Sequence, residues 1–331
     1  MVPSGAVPFD AGRRDVYAPE ELYAGFDPAQ PATFGSTPDF ASLRWYVATG
    51  SGTPMDTHDA VRRAIHDAHV TSGLGGIIAR RRVVGIMGGH QLPRDADDYG
   101  QVAILARDLT RRGMLVCSGG GPGAMEAAHL GAALAAHPDA ALATTLAALG
   151  QVPRMPDLLG IIGTDGAPDP ALVEEAGEWF APAWVASRGI ADPQDSLSIP
   201  TWHFGHEPTS PFATRIAKLF HNAVREDGLL TIARQGLVFT RGSAGTLQEV
   251  FQDAQQNYYA RHPEHFSPMV FLDRDYWTHG MPVAPLLDAL FATARPDVRA
   301  AAGRLLLMTD DIGEAAAFLE AFRATPSRLE R

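Results

Sequence analysis

From Arg82 onward, short apolar runs alternate with stretches whose apolar residues recur every three to four positions. Runs of four to seven apolar residues bounded by turn residues read as buried strands, and the 3.6-residue period reads as amphipathic helix. This reading places strands at 83–87, 114–118, 158–162, 196–202, 236–240, 268–272 and 305–308. It places helices at 96–112, 124–136, 212–226, 247–260 and 283–292. Such alternation predicts an α/β protein, a Rossmann-like doubly wound parallel sheet with helices on both faces. The alanine-, proline- and glycine-rich segment 138–191 is expected to form short helices and a loop bordering a pocket. Residues 1–80, punctuated by six prolines between Pro3 and Pro38 and carrying a helical stretch near 59–70, read as an N-terminal extension. The predicted organisation is thus 1–80 extension, 81–322 Rossmann-like domain and 323–331 tail. The extension could cap the site, form an oligomer contact or simply wrap the core.

Composition narrows the class. The chain has 331 residues, 46% of them hydrophobic and 20% charged, with a formal net charge of −11. A surface of that sign repels a phosphate backbone, so nucleic-acid partners are not expected. The single cysteine, Cys117, allows no intrachain disulfide. The N-terminus lacks the apolar core of a secretory signal, and no apolar run is long enough to span a bilayer. A cytoplasmic protein without membrane partners is expected.

In open parallel sheets, ligands gather beyond the carboxyl ends of the strands, where helix N-termini expose N–H groups. Three glycine-rich turns fall there: Gly88-Gly89 after the first strand, Ser118-Gly119-Gly120-Gly121-Pro122-Gly123 after the second, and Gly242-Ser243-Ala244-Gly245-Thr246 after the fifth. Consecutive glycines imply unusual dihedrals or close approach of another group, although a tight turn with no ligand is the plain alternative. In the last turn, Thr246 as N-cap with Glu249 three residues later fits a capping box, a structural reading of Glu249 that stands beside a catalytic one. On the 212–226 stretch, helical stepping would align Phe212, Ile216, Leu219, Phe220 and Ala223 on one apolar face. Arg215, Lys218, Asn222 and Arg225 would then form a polar flank, ordinarily solvated, from which an arginine could reach an anion.

Other chemistries find less support. The G-x-G-x-x-G spacing is absent and the second strand ends in Ser118 and glycines rather than an acidic residue, which argues against NAD(P). His203 and His206 lack a third ligand at metal-site spacing and read as loop residues. Neither a G-x-S-x-G elbow nor a Walker A sequence occurs.

The segments SGGGPGAMEAAHLGA (118–132) and RGSAGTLQE (241–249) resemble the paired GGG-x-x-G-x-M and PGG-x-GT-x-x-E signatures of the LOG phosphoribohydrolases, once mislabelled lysine decarboxylases. The resemblance runs over roughly 82–320. LSIPTWHFGHEP, AVREDGLL and GTLQEVFQDAQQNYY are most similar to the larger bacterial nucleotide 5′-monophosphate nucleosidases. It implies hydrolysis of nucleoside 5′-monophosphates to free base and ribose 5-phosphate, no metal or organic cofactor, and at least a homodimer. It further implies that Glu249 and Arg225 are catalytic. Substrate binding would fall on Gly88, Gly89, Ser118, Gly119, Gly120, Gly121, Met125, Gly242, Ser243, Ala244, Gly245 and Thr246. Arg241 stands where the family has proline, and Ser243 where it has the second glycine. A non-catalytic nucleotide-binding sensor with the same turns is the alternative. A pyridoxal-phosphate decarboxylase would need a Schiff-base lysine, and Lys218 is the single lysine.

Overall fold

The computed structural model describes residues 7–163 and 165–322; the expected tail at 323–331 lies outside them. Among the described residues, seven strands form one sheet: β1 (Arg82–Met87), β2 (Met114–Ser118), β3 (Ser196–Ser198), β4 (Arg215–Ile216), β5 (Gly236–Phe239), β6 (Met269–Leu272) and β7 (Leu306–Thr309). Every pairing is parallel and the spatial order is β4-β3-β2-β1-β5-β6-β7. Of the four central strands, β2, β5 and β6 are buried end to end and β1 from Val83 onward, as a sheet covered on both faces requires. This is the expected Rossmann-like α/β architecture. The order reverses between β1 and β5, which makes their carboxyl ends the switch point at which such sheets open a crevice.

Among the described residues, twelve α-helices complete the fold: α1 (Pro19–Leu22), α2 (Pro38–Ala48), α3 (Thr57–Ile78), α4 (Asp97–Arg111), α5 (Ala124–Ala133), α6 (Asp139–Leu149), α7 (Pro170–Gly189), α8 (Asn222–Ile232), α9 (Ala244–Tyr258), α10 (Ala284–Ala292), α11 (Pro296–Leu305) and α12 (Ile312–Ala321). One core cluster lies under α4, α5 and α12, with Val84, Ile86, Val116 and Val238 from the sheet. The other joins the opposite sheet face to residues before 80, including Phe9, Trp45 and Tyr46. Those early residues also close a sheet edge, because Tyr17 and Ile216 exchange backbone hydrogen bonds of 2.7 and 2.9 Å beside β4. No helix among the described residues is long and apolar enough to cross a membrane.

Several elements depart from the sequence reading. Residues 158–162 form a turn with an antiparallel bridge from Ile162 to Pro168, not a strand. The strand expected at 196–202 ends at Ser198, and Thr201 then makes an isolated parallel bridge with Leu219. The helix expected over 212–226 is β4 and its extension up to His221; only Asn222 onward is helical. The reason is burial on all sides, since residues 216–220 are all enclosed and their apolar spacing therefore does not mark one helical face. Lys218 is accordingly not on a solvated flank. It is 1% exposed, with its ammonium 2.7 Å from Asp39 of α2 and 2.9 Å from Thr209 Oγ1. In place of short helices throughout 138–191, α7 runs for 20 residues, started by Asp169, whose carboxylate accepts from the N–H groups of Ala171 and Leu172.

Candidate active site

The turn after β5 is short because α9 starts at Ala244, directly after Gly242-Ser243. Thr246 is therefore not the N-cap. Its side chain folds back over Gly242, where any Cβ would overlap its hydroxyl, so glycine is required by packing. Glu249 sits in the second turn rather than in a capping box, and its carboxylate is free to point elsewhere. Ser243, Ala244 and Gly245 are exposed, and the first N–H groups of a helix have no intrahelical partner. The result is an exposed set of donors at the positive end of α9. Tyr276 pins the turn from outside by donating to the carbonyl of Gly242. Arg241 turns away, bridging Asp273 and, at 3.7 Å, Asp98.

Glu249 instead meets Arg225, projecting from the first turn of α8. Arg225 Nη1 lies 3.5 Å from Glu249 Oε1, while Arg225 Nε donates to the carbonyl of Ile199, just past β3, at 3.0 Å. The side chains are 10% and 12% exposed. Burial pushes the Glu249 carboxyl up; Arg225 pulls it down and Glu226 pushes it up, leaving it at about 7. Glu226 also fixes the frame, accepting from Asn222 Nδ2 of α8 and Gln248 Nε2 of α9, each at 2.7 Å. Two helices that carry the facing charges are thereby tied together at their mouths.

The second glycine turn supplies the wall behind this pair. A Cβ on Gly119 would overlap the Arg225 guanidinium and press on the Met125 sulfur. Gly120, at φ 76°, lies against Ser198 Oγ, a buried hydroxyl without a hydrogen-bond partner among the described residues. Gly121 faces Met125 and the Glu207 carboxylate. Ser118 faces inward: its hydroxyl accepts from the N–H of Gly120 at 3.0 Å and pairs with His129 Nε2 at 2.8 Å. His129 Nδ1 in turn pairs with Ser196 Oγ at 2.9 Å, so the ring bridges two buried hydroxyls. Burial drives the His129 ring down to a pKa of about 3, so it remains neutral. The first glycine turn abuts the third, the N–H of Gly89 donating to the carbonyl of Arg241 at 2.9 Å, while Gly88 packs under Thr240.

Arg225, Glu249, Gly119 and Met125 are therefore brought into one contact set. Gly242 to Thr246 lead into the helix that carries Glu249, and Gly88 and Gly89 join the two turns. Ser118 and Thr246 spend their side chains inside the protein, Ser118 on His129 and Thr246 against Gly242. Two concavities flank the turns. One of about 410 Å³ is lined by His90, Pro122, Gly123, Arg154, Trp179 and His206. The other, about 220 Å³, lies beside Thr240, Arg241, Asp273 and Asp310. Arg225 and Glu249 line neither.

Residues missed from sequence are those joined to the site only across the fold. Glu207 lies beside Gly121 with Oε1 3.5 Å from His90 Nδ1. Asp67 of α3 accepts from the N–H groups of Phe220 and His221 at 2.9 Å each, ahead of α8. Nothing local marks either carboxylate. Among the described residues no group of three or more His, Cys, Asp or Glu side chains is arranged to hold a metal ion. No family model matches this sequence, and no curated protein does.

Proposed function

We propose that this protein hydrolyses the N-glycosidic bond of nucleoside 5′-monophosphates, releasing a free base and ribose 5-phosphate, as its resemblance to the LOG phosphoribohydrolases implies. The observation that carries the reading is the Glu249–Arg225 pair. A largely buried carboxylate faces a guanidinium at 3.5 Å, one and a half turns along the helix whose exposed N-terminal donors suit a phosphate. The distance between a nucleotide's phosphate and its anomeric carbon is of that scale.

Cleavage of a glycosidic bond builds positive charge on the sugar ring. In this reading the Glu249 carboxylate offsets that charge and orients the attacking water, while it also engages the ribose hydroxyls. Arg225 holds Glu249 in place and contributes positive charge toward the phosphate or the departing base. The backbone of residues 242–246 anchors the 5′-phosphate, and binding there positions the scissile bond. No step requires a metal or an organic cofactor. We further infer a homodimer or larger homo-oligomer acting in the cytoplasm, in keeping with one fully buried cysteine.

The test is incubation of the purified protein with AMP, GMP, CMP, UMP and dTMP, followed by chromatography for free base. Release of at least one base with equimolar ribose 5-phosphate is expected. Saturable nucleotide binding with no base released would replace this reading with that of a nucleotide sensor.

A further inference from the structure

The helix that supplies Arg225 begins with a histidine held in an unusual frame. His221, the N-cap of α8, donates from Nδ1 to Asp67 Oδ2 at 2.7 Å, and its own N–H donates to the same oxygen at 2.9 Å. Asp67 is only 3% exposed. Its other oxygen accepts from the N–H of Phe220 at 2.9 Å and from His66 Nδ1 at 3.0 Å, and His66 Nε2 is 2.7 Å from the Tyr17 hydroxyl. Burial would raise the Asp67 carboxyl, but hydrogen bonds from His221, His66 and the two N–H groups outweigh it and hold it below the usual carboxylate range. Asp67 is therefore an anion with every acceptor direction occupied.

The geometry has a chemical consequence. A carboxylate can only accept, so the His221 proton at Nδ1 is fixed and Nε2 is the atom left to gain or lose a proton. The side chain is 40% exposed, and Nε2 has no hydrogen-bond partner among the described residues. Its position is set by the sheet. Leu219 pairs with Pro200 and Thr201 beyond the carboxyl end of β3, so α8 starts above that edge. Arg225 lies one turn further in, its N–H bonded to the His221 carbonyl at 3.2 Å. The His221 backbone thus lies at the outer end of the helix that carries Arg225, ~6 Å from it along the axis, and Asp67 fixes the direction of its ring.

We propose that His221 is a further catalytic residue, the general acid that protonates the departing base, with Asp67 as its positioning residue. This rests on the nucleotide-hydrolase reading above. When the bond between C1′ and the base nitrogen breaks, its electron pair goes to the base. The Nε2–H of protonated His221 transfers its proton to a ring nitrogen of that base. Water forms the new C1′–O bond and gives up a proton to the Glu249 carboxylate, and exchange with solvent resets both groups. The net change is one water consumed, its hydroxyl on the sugar and its proton balance on the base.

A leaving group that needs no proton separates this role from a structural one. GMP departs as an anion unless protonated, whereas 7-methyl-GMP already carries the positive charge and departs as a neutral base. In His221→Gln, turnover of GMP is expected to fall about 100-fold or more, the range of a lost general acid, with 7-methyl-GMP slowed by less than roughly threefold. Retained turnover of the methylated nucleotide also shows that the variant is folded. Equal losses on both nucleotides, or no loss on GMP, overturn the assignment while leaving the hydrolase reading intact. A wild-type protein that releases no base from AMP, GMP, CMP, UMP or dTMP overturns both.

Discussion

A carboxyl poised near neutrality makes Glu249 the residue whose protonation is easiest to follow. Its value of about 7 exceeds the ordinary 4.5 because of burial, against the pull of Arg225. A raised carboxyl means that the folded state holds its proton longer than the unfolded chain does. Folding stability therefore falls as pH rises from about 4.5 to about 7 and is level above that window. Glu249→Gln removes this slope, so the variant should gain melting temperature relative to wild type across that interval, as thermal melts at several pH values would record. If the ionised form is the active one, kcat/KM for a cleaved nucleotide rises with pH through about 7. In Glu249→Gln turnover should drop by a factor of about 100 to 1,000 with nucleotide affinity nearly unchanged, as rapid-quench assays beside calorimetry would measure.

The same scale holds the clearest packing constraint. Gly119→Ala places a methyl where the Arg225 guanidinium and the Met125 sulfur already lie. Overpacking of this kind costs about 1–3 kcal/mol, and relief by swinging Arg225 outward breaks its contacts with Ile199 and Glu249. Lower stability with a larger loss of activity is expected, read by denaturant titration beside an assay. Activity at wild-type level would show that Arg225 is not needed where it stands.

At the level of elements, what ties the chain before β1 to the sheet is a few buried polar pairs. Lys218 and Asp39 form such a pair, with Trp202 Nε1 also donating to Asp39 at 2.9 Å and the ammonium 5.4 Å from the Trp202 ring. Removing one member of a buried pair strands the other charge, so Lys218→Ala should destabilise by about 3–5 kcal/mol. Lys218→Met combined with Asp39→Asn should recover most of that loss, which chemical denaturation would reveal. These elements also show how far sequence reasoning reaches. The inner strands were legible because each is a short apolar run, β1 and β2 ended by glycine, and α9 because its periodicity is clean. The β4 region was not. Its spacing of apolar residues suits a helix, and only contacts with Asp39, Thr209 and Tyr17, up to two hundred positions away, hold it extended. For the candidate site, glycine turns announced themselves locally. The Asp67–His221 and His90–Glu207 contacts did not, because no periodicity encodes a meeting of distant chain segments.

For the molecule as a whole, one apolar cluster runs from Phe9 and Trp45 through Trp202 and Phe220 to the sheet. Trp202 and Phe220 stack at 4.4 Å between ring centres, with Phe9 4.6 Å from Phe220. A chain lacking residues 7–81 would expose this surface together with the open edge of β4, a template for pairing with other chains. Such a truncated protein is expected to aggregate and to bind hydrophobic dyes, as light scattering and fluorescence would detect. A monodisperse, cooperatively melting product would instead mark 82–322 as self-sufficient.

The hollow at Gly119 is filled by the protein's own cation. Receptacle and occupant come from segments a hundred residues apart, so neither can drift alone. A bulkier residue at 119 demands a shorter one at 225, and a shorter one at 225 leaves a void behind the carboxylate. Inherited change at this corner must therefore arrive in matched pairs, and a library randomising both positions together should yield linked solutions and few independent ones.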